Sequence, residues 1–163
     1  MKRLFYLFAS LLLMTACSGI DCPIENAVFV NYAVMKSQGG EEVADTLKDT
    51  LWVWTRRADG DDTLLFNRGV NVRSFQLPAS YQGAQDTLVF LTVDTLQTLV
   101  IDTVWLSKED IPHFESVDCA ARYFHRITSV RSTHQAIDTI IINNSQVTYD
   151  SSVKHLYIHF KKK

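Results

Sequence analysis

Residues 154–160, Lys-His-Leu-Tyr-Ile-His-Phe, set Leu156, Ile158 and Phe160 on one side and His155, Tyr157 and His159 on the other. That period of two is the signature of a β-strand. Similar runs recur along the chain and predict strands at 27–34, 50–55, 63–67, 70–75, 87–93, 96–106, 122–130, 137–142, 146–149 and 154–160. They are rich in Val, Ile, Thr, Phe, Tyr and Trp, which fit a pleated surface. Turn formers separate them: Ser-Gln-Gly-Gly at 37–40, Ala-Asp-Gly-Asp-Asp at 58–62, Leu-Pro-Ala-Ser at 77–80 and Ile-Asn-Asn-Ser at 142–145. No window carries a helical apolar stripe, and 107–111 reads as one short turn. The pattern predicts an all-β chain folded as a single antiparallel β-sandwich, immunoglobulin-like, with no linker dividing it.

The N-terminus follows another rule. Lys2 and Arg3 precede an apolar run, 4–14, in which only Ser10 is polar. A bilayer-spanning helix needs roughly 20 apolar residues, so this run reads as the core of a secretory signal peptide. The sequence Met14-Thr15-Ala16-Cys17 resembles a bacterial lipobox, in which cleavage precedes a cysteine that receives lipid. The expected layout is a signal peptide at 1–16, a lipid-anchored tether at 17–21 and the sandwich domain at 22–163. Losing Lys2 and Arg3 moves the formal charge from −2 to −4, a balance unsuited to nucleic acid. The Lys161-Lys162-Lys163 cluster reads as a solvated tail that discourages further strand pairing.

Three cysteines are an odd number for an exported chain. Lipid on Cys17 leaves Cys22 and Cys119 to form a disulfide, stable outside the cytoplasm. Closing a loop of about 100 residues stabilises by up to ~4.7 kcal/mol in the chain-entropy picture. The tether between Cys17 and Cys22 reaches only ~17 Å at about 3.4 Å per residue, so the domain is expected close to the membrane.

The remaining features divide between structure and function. Asp-Thr-apolar uses seven of the thirteen aspartates. Turn-ending Asp and strand-opening Thr account for such a tripeptide. It also resembles the O-glycosylation sequon of Bacteroides-type bacteria, which makes Thr46, Thr50, Thr63, Thr87, Thr95, Thr103 and Thr139 candidate glycan sites. Trp52 and Trp54 share one face of a strand, either as core or as an exposed ligand-stacking platform for sugars or other small ligands. His155 and His159 are ~13 Å apart on a strand, too far for one zinc ion. His113, His125 and His134 flank Cys119 in sequence, but a disulfide would remove its sulfur from chemistry. Asp59-Gly60 reads as a hairpin turn in preference to a calcium loop. Hydrolase, nucleotide-binding and metalloprotease motifs are missing, so no catalytic residue, metal or cofactor is expected.

Residues 112–150 add a resemblance. Pro112-His113-Phe114, Ser116, Asp118-Cys119, Phe124-His125, Thr133-His134 and Ile137-Asp138, followed by an aromatic strand, resemble a family of small Bacteroides-type lipoproteins, the domain of unknown function numbered 6452. Cys22 and Leu77-Pro78 extend the likeness, while Ala120 departs from the glycine usual there. The resemblance implies an exported, acylated, all-β protein, and it brings no activity or catalytic residue. The expectation is a non-enzymatic accessory or interaction component of the outer membrane. It would be held by lipid on the periplasmic face and engage another envelope protein. The alternative is a glycan- or small-ligand-binding lipoprotein using Trp52 and Trp54.

Overall fold

In the computed structural model, which describes residues 28–56, 60–114, 116, 119 and 121–162, the alternation resolves into strands without a helix. They are β1 (Phe29–Gln38), β2 (Glu41–Ala44), β3 (Thr50–Arg56), β4 (Asp62–Gly69), β5 (Ser74–Pro78), β6 (Gln85–Val93), β7 (Leu99–His113), β8 (Arg122–Ser132), β9 (Ile137–Ile142), β10 (Gln146–Val147) and β11 (Leu156–Phe160). They form two packed sheets. One runs β2-β1-β11-β9, with β5 also paired to β1, and the other runs β10-β8-β7-β6-β3-β4. Residues 1–27, and with them the expected signal peptide, Cys17, the tether and Cys22, lie outside the described residues, as do 57–59 and Ala120.

The core follows from the pleat, which sends alternate side chains to opposite faces. Leu51 and Val53 of β3, Leu88 and Phe90 of β6, and Val104 and Leu106 of β7 point inward. Val30, Tyr32, Leu77, Leu156 and Ile158 meet them from the other sheet. Aromatic rings join the layers: Tyr32 stacks on Phe75 at 4.7 Å, and Phe75 meets the edge of Phe90 at 6.1 Å. Burying each large side chain contributes about 1.5–3 kcal/mol.

Several expectations are revised. Residues 107–111 are part of the 15-residue strand β7, because alternation continues through charged positions that find partners inside. The strand expected at 70–75 begins at Ser74 instead, since Arg68 and Asn71 hold left-handed backbone (φ 49° and 53°) that breaks the extended run. Strand β2 has no apolar alternation and all four residues are exposed; the Gly39-Gly40 turn creates it by folding the chain back on β1. The sandwich is also not wholly antiparallel. Tyr32 on β1 pairs with Leu156 on β11 in a parallel register.

The two faces of β11 differ less than its alternation suggests. His155 and His159 are buried along with Leu156 and Ile158, because β11 lies between β1 and β9. His155 Nδ1 accepts the N–H of Asn31 at 2.9 Å, so the ring proton resides on Nε2. The Asn31 side chain donates to the carbonyls of Ser151 and Val153, fastening that loop to β1. Lys161 is more than a solvated tail: its ammonium donates to the carbonyl of His134 at 2.6 Å.

Candidate functional site

Strand β3 sits inside its sheet, between β6 and β4, and its inward residues Leu51 and Val53 are fully buried. Trp52 and Trp54 therefore turn to the outer face, where both are half-buried. Cross-strand register supplies their neighbours. Trp52 lies beside Leu91 on β6, and Leu91 beside Ile101 on β7. Trp54 lies between Leu64 on β4 and Val89 on β6. One step along, Val93 pairs with Leu99. Leu64, Leu99 and Ile101 are 43%, 64% and 58% exposed, so an apolar stripe crosses four strands on the solvent side.

At one border of this stripe stands Trp105 of β7, paired in register with Arg131 of β8. The Arg131 guanidinium lies 5.5 Å from the centre of the Trp105 ring. Sequence reasoning left Trp105 out of the aromatic face. Its spacing from Ile101 along β7 is a readable signal, whereas the register joining β7 to β3 through β6 is not.

The inner face of the same sheet carries charge at one end. Lys108 has a fully buried side chain; its ammonium donates to the carbonyl of Gly83 at 2.9 Å and to Asp110 at 3.0 Å, and lies 4.0 Å from Asp86. Asp110 Oδ1 lies 2.7 Å from His125 Nδ1, a pairing that places the ring proton on Nδ1. Burial pushes the Asp86 carboxyl above its ordinary range, against the pull of Lys108 and the Ser80 N–H. Burial likewise holds the His125 imidazole below its usual value, opposed by the Asp110 hydrogen bond. Tyr32, buried beside Asp86, has its hydroxyl pushed well up by burial and by that carboxylate. Every contact of the ammonium is internal, and together they fasten residues 79–84 and the ends of β7 and β8. This is a bracing cluster.

The histidines near Cys119 in sequence separate in space. His125 belongs to the buried cluster, and His113 stacks on Phe124 at 4.3 Å. His134 follows the far end of β8, an eleven-residue strand away from Cys119, or ~36 Å at about 3.3 Å per residue. No shared Cys/His centre forms from all of them. Among the described residues no group of three or more His, Cys, Asp or Glu is arranged for a metal.

Four of the seven aspartates of the recurring tripeptide, Asp45, Asp86, Asp94 and Asp102, accept loop N–H groups. Asp94 Oδ1 accepts the N–H groups of Leu96 and Thr98, Asp45 accepts that of Thr46, and Asp86 that of Ser80. Of the candidate threonines, Thr63 and Thr95 are exposed, while Thr46, Thr50, Thr87, Thr103 and Thr139 are half-buried. Asp59, expected in a hairpin turn, lies outside the described residues.

Residues 50–160 match DUF6452, a family of unknown function. No curated protein and no solved structure matches the chain. The match spans β3 to β11, so it includes the aromatic stripe and the bracing cluster and leaves β1 outside.

Proposed function

The chain belongs to DUF6452, a family of unknown function, and on that premise we propose that it works by binding, as a lipid-anchored accessory component of the cell envelope. We read its two packed sheets as an immunoglobulin-like sandwich, preceded by a signal peptide that is cut before Cys17. Lipid on Cys17 holds the domain at the periplasmic face of the outer membrane, and Cys22 joins Cys119 in a disulfide. The support for that bond is the cysteine count, since lipid on Cys17 leaves two thiols to pair.

The observation that carries the binding role is the row Trp52, Leu91 and Ile101 on the solvent side of the six-stranded sheet. Solvent-facing apolar patches of this kind mark interaction surfaces, and tryptophan is over-represented where binding energy concentrates. The partner is another envelope protein whose apolar surface covers this stripe. A photo-crosslinking residue at Ile101, expressed in native cells, should capture one membrane protein in stoichiometric yield. No adduct, or the same adducts from Phe29 on the other sheet, overturns the assignment. Saturable quenching of tryptophan fluorescence by a neutral glycan, abolished by Trp52→Ser, would instead establish the platform as a sugar site. Alkyne-palmitate labelling lost in Cys17→Ser tests the anchor separately.

A further inference from the structure

Between the end of β8 and strand β9 lies a groove of about 370 Å³, lined by Trp105, Arg131, Ser132, His134 and Thr139 among others. Its walls also include Val130 and Ile140, which pack against the core, and it involves neither Trp52 nor Trp54. Its volume falls in the lower part of the range of small-ligand sites, roughly 300–1,000 Å³.

The polar groups have defined roles. Arg131 lies over the Trp105 ring, its Cζ 5.5 Å from the ring centre, a cation–π placement. Among the described residues it has no carboxylate partner, so its fork of N–H donors is available. His134 Nδ1 is 2.7 Å from the carbonyl of Asp138, which can only accept; Nδ1 therefore carries the proton and Nε2 is left as an acceptor. His134 has φ 57°, a left-handed backbone uncommon for a residue with a side chain. That conformation turns the ring towards Asp138. Thr139 contributes a hydroxyl, and so does Ser132, whose Oγ also lies 3.3 Å from His134 Nδ1; both donate or accept. The groove thus combines a planar cationic fork, an imidazole acceptor, two hydroxyls and an indole wall.

We propose that this groove binds an acidic saccharide, with its carboxylate on Arg131 and its ring hydroxyls on Ser132, Thr139 and His134 Nε2. A guanidinium matches a carboxylate with two parallel hydrogen bonds. A carboxylate alone would satisfy Arg131, but the imidazole acceptor calls for hydroxyl donors on the same ligand. A peptide with a free C-terminal carboxylate shares only the first feature.

The test titrates the full chain with a galacturonic acid trisaccharide, followed by tryptophan fluorescence and calorimetry. Saturable binding is expected, with the neutral galactose trisaccharide weaker by roughly tenfold or more. Arg131→Gln should weaken the acidic sugar by roughly the same factor and leave the neutral one unchanged. Arg131→Lys should restore part of the loss, because it keeps the charge without the fork. Trp52→Ser should change nothing here, which separates this site from the apolar stripe. Arg131 is exposed, and an unchanged unfolding midpoint confirms that each variant is folded. Equal affinity for the neutral sugar, no binding of the acidic one up to roughly 10 mM, or tighter binding of a short peptide carboxylate overturns the proposal.

Discussion

Asp102, on β7 of the six-stranded sheet, accepts at 2.9 Å the backbone N–H of Ile137, the first residue of β9 in the opposite sheet. The same carboxylate takes the N–H groups of Gln135 and Ala136, both at 2.7 Å, and the hydroxyl of Thr133 at 2.8 Å. One buried anion thus organises the crossing from β8 to β9. Burial alone would raise its pKa, but these donors outweigh that and hold the carboxyl below its ordinary value.

Replacing Asp102 by Ala should therefore destabilise the domain by about 3 kcal/mol, since hydrogen bonds to charged groups contribute roughly 1.5–3 kcal/mol each and do not add fully. The folded pKa is depressed, so its stabilisation is complete above the unfolded value of about 3.9. It is lost as pH falls through the folded value. Urea unfolding of Asp102→Ala should accordingly show a shallower loss of stability below about pH 4 than the parent chain. Equal acid slopes would refute this role.

A second pH effect lies higher. His125 and His155 are both depressed, chiefly by burial. Below about pH 6.5 the unfolded chain takes up protons that the folded chain refuses. Stability should fall between pH 7 and 5 on this account, an effect that Asp86, whose carboxyl burial pushes up, opposes as it takes up its proton. His125→Gln combined with His155→Gln should flatten that interval, whatever it costs in absolute stability. An unchanged slope in urea midpoints would count against the assignment.

Lys108 offers a sharper test. Its ammonium is the cation between Asp86 and Asp110 in the interior. Lys108→Met should cost about 3–5 kcal/mol, because removing one partner leaves buried carboxylates uncompensated. The triple variant Lys108→Met, Asp86→Asn, Asp110→Asn should recover much of that loss. A triple variant no more stable than Lys108→Met would show that the loss was packing.

The two faces of β3 predict opposite phenotypes. Leu51→Ala, at a fully buried position, should destabilise by about 2–5 kcal/mol while a still-folded fraction keeps its crosslinking partner. Trp52→Ser should cost no more than about 2 kcal/mol in unfolding measurements and abolish partner capture from Ile101.

Gly69 lies where β4 bends back towards β5, and a Cβ there would collide with the Phe66 ring and crowd Val72. Gly69→Ala should lower stability by about 1–3 kcal/mol through overpacking, and Phe66→Leu in the same chain should relieve part of it.

Alternation made much of the architecture legible. The period of two in 50–55 and 87–93 located β3 and β6 to within a residue or two. It failed where partners outside the segment decide. Lys108 and Asp110 resemble a polar break, yet they extend β7 because Asp86 on β6 and His125 on β8 wait on the neighbouring strands of the same sheet. Residues 41–44 form β2 through a turn alone. At the functional face, the Trp52 and Trp54 pair is visible in one strand. Leu91, Ile101 and Leu99 join it only through registers that hairpins of different lengths set. The groove around Arg131 was not legible at all, since its tautomer depends on His134 bending back to Asp138.

The parallel seam between Tyr32 and Leu156 has a temporal consequence. The earliest described strand has β2 and β5 along one edge, but it acquires its neighbour on the other edge only when residues more than a hundred positions later arrive. A nascent chain can pair β3 with β4 and zip the β6-β7-β8 meander, whose contacts are sequential, but it cannot close the second layer. Such long-range closure is intrinsically slow. The polypeptide stays open along that edge until residues 156–160 join it.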